Sequence, residues 1–216
     1  MLCKDIIKSV EENKIIAIVR GVEKKDLLPL ANALYDGGIR LLEITYSANG
    51  KVSDTETAEC IKLLAEAFDG KMLIGAGTVL TENQVELTAN AGGRFIISPD
   101  TNDAVIKKTK ELGLVSMPGA LTPSEITAAV RAGADFVKLF PVLSLGPEYI
   151  KAVSAPLSHV KLLAVGGVDL GNIKTFLNAG VCGFGLGSNI IDKKLISNGD
   201  FGGITELAKK YIAEIR

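Results

Sequence analysis

A lysine stands inside an apolar run, Phe136-Val137-Lys138-Leu139-Phe140-Pro141. Burying its ammonium would lower its pKa, because desolvation disfavours the charged form. The neutral amine is the nucleophile of Schiff-base chemistry, condensing with a carbonyl carbon. A lysine at a strand end, with its stem on apolar surface and its head in water, would leave the same local pattern. A carboxylate interrupts a second apolar run, Leu41-Leu42-Glu43-Ile44-Thr45. Lys and Glu are seldom buried without partners, so the two residues together point to one functional centre. A structural ion pair is the alternative, although desolvation makes such a pair a weak source of stability. Arg20 closes Ala17-Ile18-Val19-Arg20-Gly21 and offers a guanidinium fork suited to a carboxylate or phosphate. An exposed loop arginine would look the same.

These side chains need a frame. Apolar runs rich in Ile, Val, Leu and Phe recur at 15–20, 41–46, 72–75, 95–98, 115–117, 136–140, 161–164 and 183–186. Segments of helical period lie between them, at 24–35, 53–68, 82–90, 103–111, 123–131, 148–153 and 171–178. This alternation predicts parallel β-α-β units, and continuous apolar runs suit strands buried on both faces. Glycines in Asp36-Gly37-Gly38, Ala91-Gly92-Gly93, Leu112-Gly113, Ala132-Gly133 and Ala179-Gly180 recur just before the strands, as helix C-caps do. Residues 1–216 are therefore expected to form one (β/α)8 TIM barrel, with an extra N-terminal helix at 6–12 and a closing one at 204–215. A doubly wound sheet fits less well, since no G-x-G-x-x-G turn follows the first strand.

In such a barrel the chemistry lies at the C-terminal ends of the strands. Glu43 on the second strand and Lys138 on the sixth would face each other across the axis. The loops after strands seven and eight, Val165-Gly166-Gly167-Val168 and Gly185-Leu186-Gly187-Ser188, let backbone N–H groups approach an anion. Ile74-Gly75-Ala76-Gly77-Thr78 does the same after strand three and adds a hydroxyl; Thr78 could instead bond its own backbone.

Composition removes other chemistries. Hydrophobic residues are 47% and charged residues 23%, with a net charge of −1 and no basic cluster for nucleic acid or an anionic membrane surface. No apolar stretch is long enough for a membrane span or resembles a signal peptide, and the three cysteines form no C-x-x-C pair. The chain reads as cytoplasmic. The one histidine, His159, lies in a turn, which leaves a histidine-rich metal site or a serine–histidine mechanism little to build on. An all-carboxylate magnesium site stays open.

At these residues the chain resembles the class I, Schiff-base-forming 2-keto-3-deoxy-6-phosphogluconate (KDPG) / 4-hydroxy-2-oxoglutarate (KHG) aldolase family. The likeness runs through Gly37-Gly38-Ile39-Arg40-Leu41-Leu42-Glu43-Ile44-Thr45, Ile74-Gly75-Ala76-Gly77-Thr78-Val79, Ile97-Ser98-Pro99, Pro118-Gly119, Thr122-Pro123-Ser124-Glu125, Lys138-Leu139-Phe140-Pro141 and Gly166-Gly167-Val168. The resemblance implies a homotrimeric barrel, needing no cofactor or metal, that cleaves a 2-keto sugar acid to pyruvate and an aldehyde. It implies Lys138 as the Schiff-base lysine and Glu43 as the acid/base. Arg20 and Thr78 would bind the carboxylate end, Pro99 would line the site, and Gly166, Gly167, Gly187 and Ser188 would hold the phosphate end. Two departures stand out. Ser47 occupies a position where some members carry an arginine, and Val165 one where a threonine is usual. Losing that hydroxyl predicts a looser preference at substrate C4, with Tyr46 placed to supply a replacement hydroxyl. The residues alone also fit a phosphate-binding epimerase or isomerase, or a sugar-phosphate-binding barrel without turnover.

Overall fold

The computed structural model describes residues 2–216. Helix α1 (Cys3–Asn13) precedes a run of alternating strands and helices. These are β1 (Ile15–Val19), α2 (Lys24–Asp36), β2 (Leu41–Thr45), α3 (Asp54–Ala67), β3 (Leu73–Gly77), α4 (Glu82–Asn90), β4 (Phe95–Ile97) and α5 (Asp103–Glu111). Next come β5 (Val115–Met117), β6 (Gly119–Ala120), α6 (Pro123–Ala132), β7 (Val137–Leu139), α7 (Gly146–Ser154), β8 (Leu162–Val165), α8 (Ile173–Asn178), β9 (Gly183–Leu186), α9 (Lys193–Ser197) and α10 (Phe201–Glu214).

The nine strand segments form one parallel sheet in the order β5-β4-β3-β2-β1-β9-β8-β7-β6. Its two ends, β5 and β6, are consecutive pieces of chain split by Pro118. Proline has no N–H for the ladder, so the strand is interrupted there. The Pro118 carbonyl still accepts from Lys138 N at 2.9 Å, and the sheet closes through that residue. The eight expected strands thus become nine segments around one barrel. Strand three runs two residues further than its apolar pattern, to Gly77, and α9 is an additional short helix.

Successive strand residues point to opposite faces, and the two apolar clusters follow this rule. Leu42 and Ile44 of β2, with Val137 and Leu139 of β7, pack outward against the helices. Leu41, Phe95, Ile97, Val115, Met117, Phe136 and Leu163 fill the barrel interior, where Ile6 and Val10 of α1 join them. Glu43 shares the parity of Leu41, and Lys138 that of Phe136, so both side chains project into the barrel above this packed layer. Helices α3 and α6 begin on capping boxes, Ser53 with Glu56 and Thr122 with Glu125, which satisfy orphan N–H groups of their first turns. No helix among the described residues is long and apolar enough to cross a membrane.

Candidate active site

A cavity of about 570 Å³ opens at the C-terminal ends of the strands, and its wall includes Arg20, Glu43, Thr78, Pro99, Lys138, Gly166, Gly167, Gly187 and Ser188. The residues expected to do the chemistry or hold the substrate therefore meet at one place, whereas Tyr46 and Ser47 lie outside this wall.

Glu43 is 1% exposed and Lys138 7%. Burial pushes the Glu43 carboxyl up to about 6, opposed by the positive charges of Lys138 and then Arg20. Burial holds the Lys138 amine below the ordinary lysine range, with Glu43 opposing the shift and Arg20 adding to it. Glu43 Oε2 is buried with no hydrogen-bond partner. A purely structural ion pair would satisfy that atom; an unpartnered carboxylate oxygen facing a cavity is suited to exchanging protons with a ligand.

The two residues flanking Lys138 do not account for its burial. Val137 and Leu139 face the helices, and the aromatic side chain lying over the amine is Phe140, with Nζ 4.8 Å from the ring centre. Room for Glu43 comes from β3. Gly75 pairs with Glu43 and Gly77 with Thr45, and a Cβ on Gly77 would overlap the Glu43 carboxylate. Glycine at 77 is thus required by the carboxylate itself.

Thr78 follows at once with φ +56°, a left-handed conformation that is strained for a β-branched residue. Its hydroxyl accepts from Arg20 Nη2 at 3.0 Å, so Thr78 bonds across the cavity mouth to the guanidinium. Downstream, Leu80 N donates to Gln84 Oε1 at 2.7 Å, and Gln84 Nε2 donates to Asp54 Oδ1 at 3.1 Å. This buried amide ties the turn carrying Thr78 to the start of α3.

On the other wall, Gly166 and Gly167 both have positive φ, +90° and +84°. No other residue adopts two such conformations in succession without strain, so the bend after β8 depends on the pair. After β9, the N–H groups of Ile190 and Ile191 both donate to Gly187 O, curling the chain into a turn that presents Ser188. Val165, at the end of β8, is buried and borders the same cavity.

The hydroxyl of Tyr46 is not available to replace the missing threonine. It is buried against α4, bonded to Thr88 Oγ1 at 2.9 Å and donating to Gln84 O at 3.1 Å. Alternation on β2 turns residue 46 outward, away from the Glu43 side, which the spacing already implied. The sequence reading gave no site role to Phe140, Asn189 or Lys193, all on the cavity wall. No motif marked the last two, since a loop's path is set by tertiary contacts. Among the described residues, no group of three or more His, Cys, Asp or Glu side chains is placed to hold a metal ion.

Comparison with known proteins agrees with this architecture. Residues 6–207 match the family described as Aldolase: KDPG and KHG aldolase. A probable 2-dehydro-3-deoxy-6-phosphogalactonate aldolase from Rhizobium meliloti is 40% identical over 88% of this chain and 86% of its own length. The 2-dehydro-3-deoxy-6-phosphogalactonate aldolase of Escherichia coli is 36% identical over 82% and 83%. The crystal structure of KDPG aldolase from Legionella pneumophila, with pyruvate captured as a covalent carbinolamine intermediate, superposes with a TM-score of 0.84 at 31% identity, over 94% of this chain and 96% of that one. A match along nearly the whole chain, to relatives of the same length, places this protein in the KDPG and KHG aldolase family, whose members are lyases.

Proposed function

We propose that the protein cleaves a phosphorylated 2-keto-3-deoxy sugar acid to pyruvate and glyceraldehyde 3-phosphate through a Schiff base on Lys138. The observation that carries this reading is the burial of Lys138 and Glu43 in one cavity, with the amine pKa lowered and the carboxyl pKa raised. The Lys138 amine attacks the C2 ketone. Glu43 delivers and removes protons as the carbinolamine forms and loses water. The iminium then draws the electrons of the C3–C4 bond, while Glu43 takes the proton from the C4 hydroxyl and the aldehyde leaves. Protonation of the enamine at C3 and addition of water release pyruvate and restore the amine. Arg20 and Thr78 hold the substrate carboxylate, Pro99 lines the wall, and Gly166, Gly167, Gly187 and Ser188 receive the phosphate. With 4-hydroxy-2-oxoglutarate the departing aldehyde is glyoxylate. A cleavage assay across phosphorylated and unphosphorylated 2-keto acids tests the reading, which falls if none yields pyruvate.

Val165 bears on the C4 epimer. Its side chain cannot donate or accept a hydrogen bond at the substrate's hydroxylated carbons. The relatives at 40% and 36% identity are both named for the galactonate substrate. We therefore expect the phosphogalactonate epimer to be favoured, with discrimination of no more than about tenfold, since an apolar contact separates such substrates weakly. Val165→Thr should move the kcat/KM ratio toward the gluconate epimer. A sharp wild-type preference for gluconate, or an unchanged ratio in the variant, would remove residue 165 as a reader of C4.

The family resemblance supports a homotrimer. Light scattering at micromolar concentration should give three times the chain mass, and a stable monomer would end that assignment.

A further inference from the structure

Three cations line the cavity: Lys138, Arg20 and Lys193. The first acts as a neutral nucleophile, and the second is bonded to Thr78 at the carboxylate end. Lys193 has no part in that scheme. It opens α9, shortly after Gly187 and Ser188 on the same stretch of cavity wall. Its ammonium reaches across to the turn after β1, where a Cβ on Gly21 would lie 3.8 Å from Nζ. Gly21 carries no side chain and has φ +64°, so the ammonium has open space above the turn.

The acids near Lys193 are engaged elsewhere or lie outside the cavity. Asp192 Oδ1 accepts from Lys194 N at 2.7 Å and Leu195 N at 3.2 Å, capping α9. Glu23, on the facing loop, pairs with Lys25 at 2.7 Å. Asp26 lines an adjoining outer groove that Glu23 and Lys193 also border. Among the described residues Lys193 makes no ion pair, whereas Lys24, Lys25, Lys108, Lys161 and Lys174 each do.

We propose that Lys193 is a further substrate-binding residue, supplying the full positive charge that selects phosphorylated over unphosphorylated sugar acids. The inference rests on the proposed aldolase reading and extends it to substrate class. A phosphate monoester brings about −2 charge at neutral pH. The Gly166, Gly167, Gly187 and Ser188 backbone offers only N–H dipoles, and Arg20 serves the opposite end. A lysine is a mobile point charge that binds phosphate without a fixed fork geometry, which suits an exposed position at the rim.

Steady-state kinetics on the phosphorylated sugar acid and on the same acid without its phosphate tests the role. Lys193→Ala should raise KM for the phosphorylated substrate about tenfold, change kcat by less than about twofold, and leave the unphosphorylated sugar acid, uncharged at that end, unaffected. Lys193→Arg should restore most of the loss, and the salt dependence of KM should be shallower in the alanine variant. An unchanged KM, or equal changes for both substrates, would overturn the proposal. Calorimetry with glycerol 3-phosphate separates the two readings because it needs no turnover. If Lys193→Ala binds that probe as tightly as wild type, Lys193 has no such role, whatever the catalytic result. If wild type forms no imine with pyruvate yet the alanine variant loses glycerol 3-phosphate, the Schiff-base reading fails and the phosphate role stands.

Discussion

Borohydride added to the protein in the presence of pyruvate is expected to fix a covalent adduct on Lys138, and Lys138→Ala is expected to lose both the adduct and aldol cleavage. Lys138 combines burial at 7% exposure with a depressed pKa, since the interior disfavours the ammonium. A larger share of its amine is therefore neutral and nucleophilic near pH 7 than of an ordinary lysine. The imine is an electron sink that no nearby group can replace, so removing the amine should lower turnover by at least about four decades. Alanine also removes a long side chain from the barrel mouth, so Lys138→Met, which keeps the length without the amine, separates a chemical loss from a packing one. Cleavage by the methionine variant, or an adduct mapped to another lysine, would rule out the assignment.

Glu43→Gln should slow cleavage by about two to four decades, the usual share of a positioned acid/base, while still forming the imine slowly. The variant keeps the shape of the side chain and leaves the Lys138 nucleophile in place. Removing the carboxylate also removes the influence that holds the Lys138 pKa up, so the amine should become more fully neutral. The pH profile gives the sharper readout. With its carboxyl at about 6, Glu43 is a base above that pH and loses this capacity as pH falls through it. Wild-type kcat should therefore drop on the acid side with a midpoint near 6, and that limb should vanish in Glu43→Gln. The sign for stability is opposite. A carboxyl whose folded pKa lies above its ordinary 4.5 favours the native state most below 4.5 and loses that contribution as pH rises to about 6. The loss is on the order of 2 kcal/mol, so above pH 6 Glu43→Gln should be at least as stable as wild type. Wild-type turnover in the variant, or an acid limb that persists, would exclude Glu43 as the acid/base.

The repeating architecture and the chemistry-bearing residue types were legible in the sequence for a simple reason. Periodicity and glycine caps act locally, so β-α units follow from patterns a few residues long. Lys138 and Glu43 were visible because a charge in an apolar run is conspicuous. Ordinal position in a closed barrel then predicted that strands two and six bring them together, and the cavity contains both. What surrounds them was decided only by the fold. The apolar neighbours Val137 and Leu139 face away from the amine, and Phe140 and the barrel interior desolvate it instead. The fit of the Glu43 carboxylate against Gly77 depends on the register of β2 with β3, which neither strand encodes alone. The same holds for Thr78, whose partner Arg20 lies 58 residues away in sequence. Alternation from Glu43 already turned Tyr46 outward, and the fold adds only the partner of its hydroxyl, Thr88 on α4. Lys193 carries no motif and reaches the cavity wall only because the start of α9 brings its ammonium near Gly21. Local sequence sets which way the chain turns and which residues are chemically able; long-range packing sets which of them share a cavity and what each can reach.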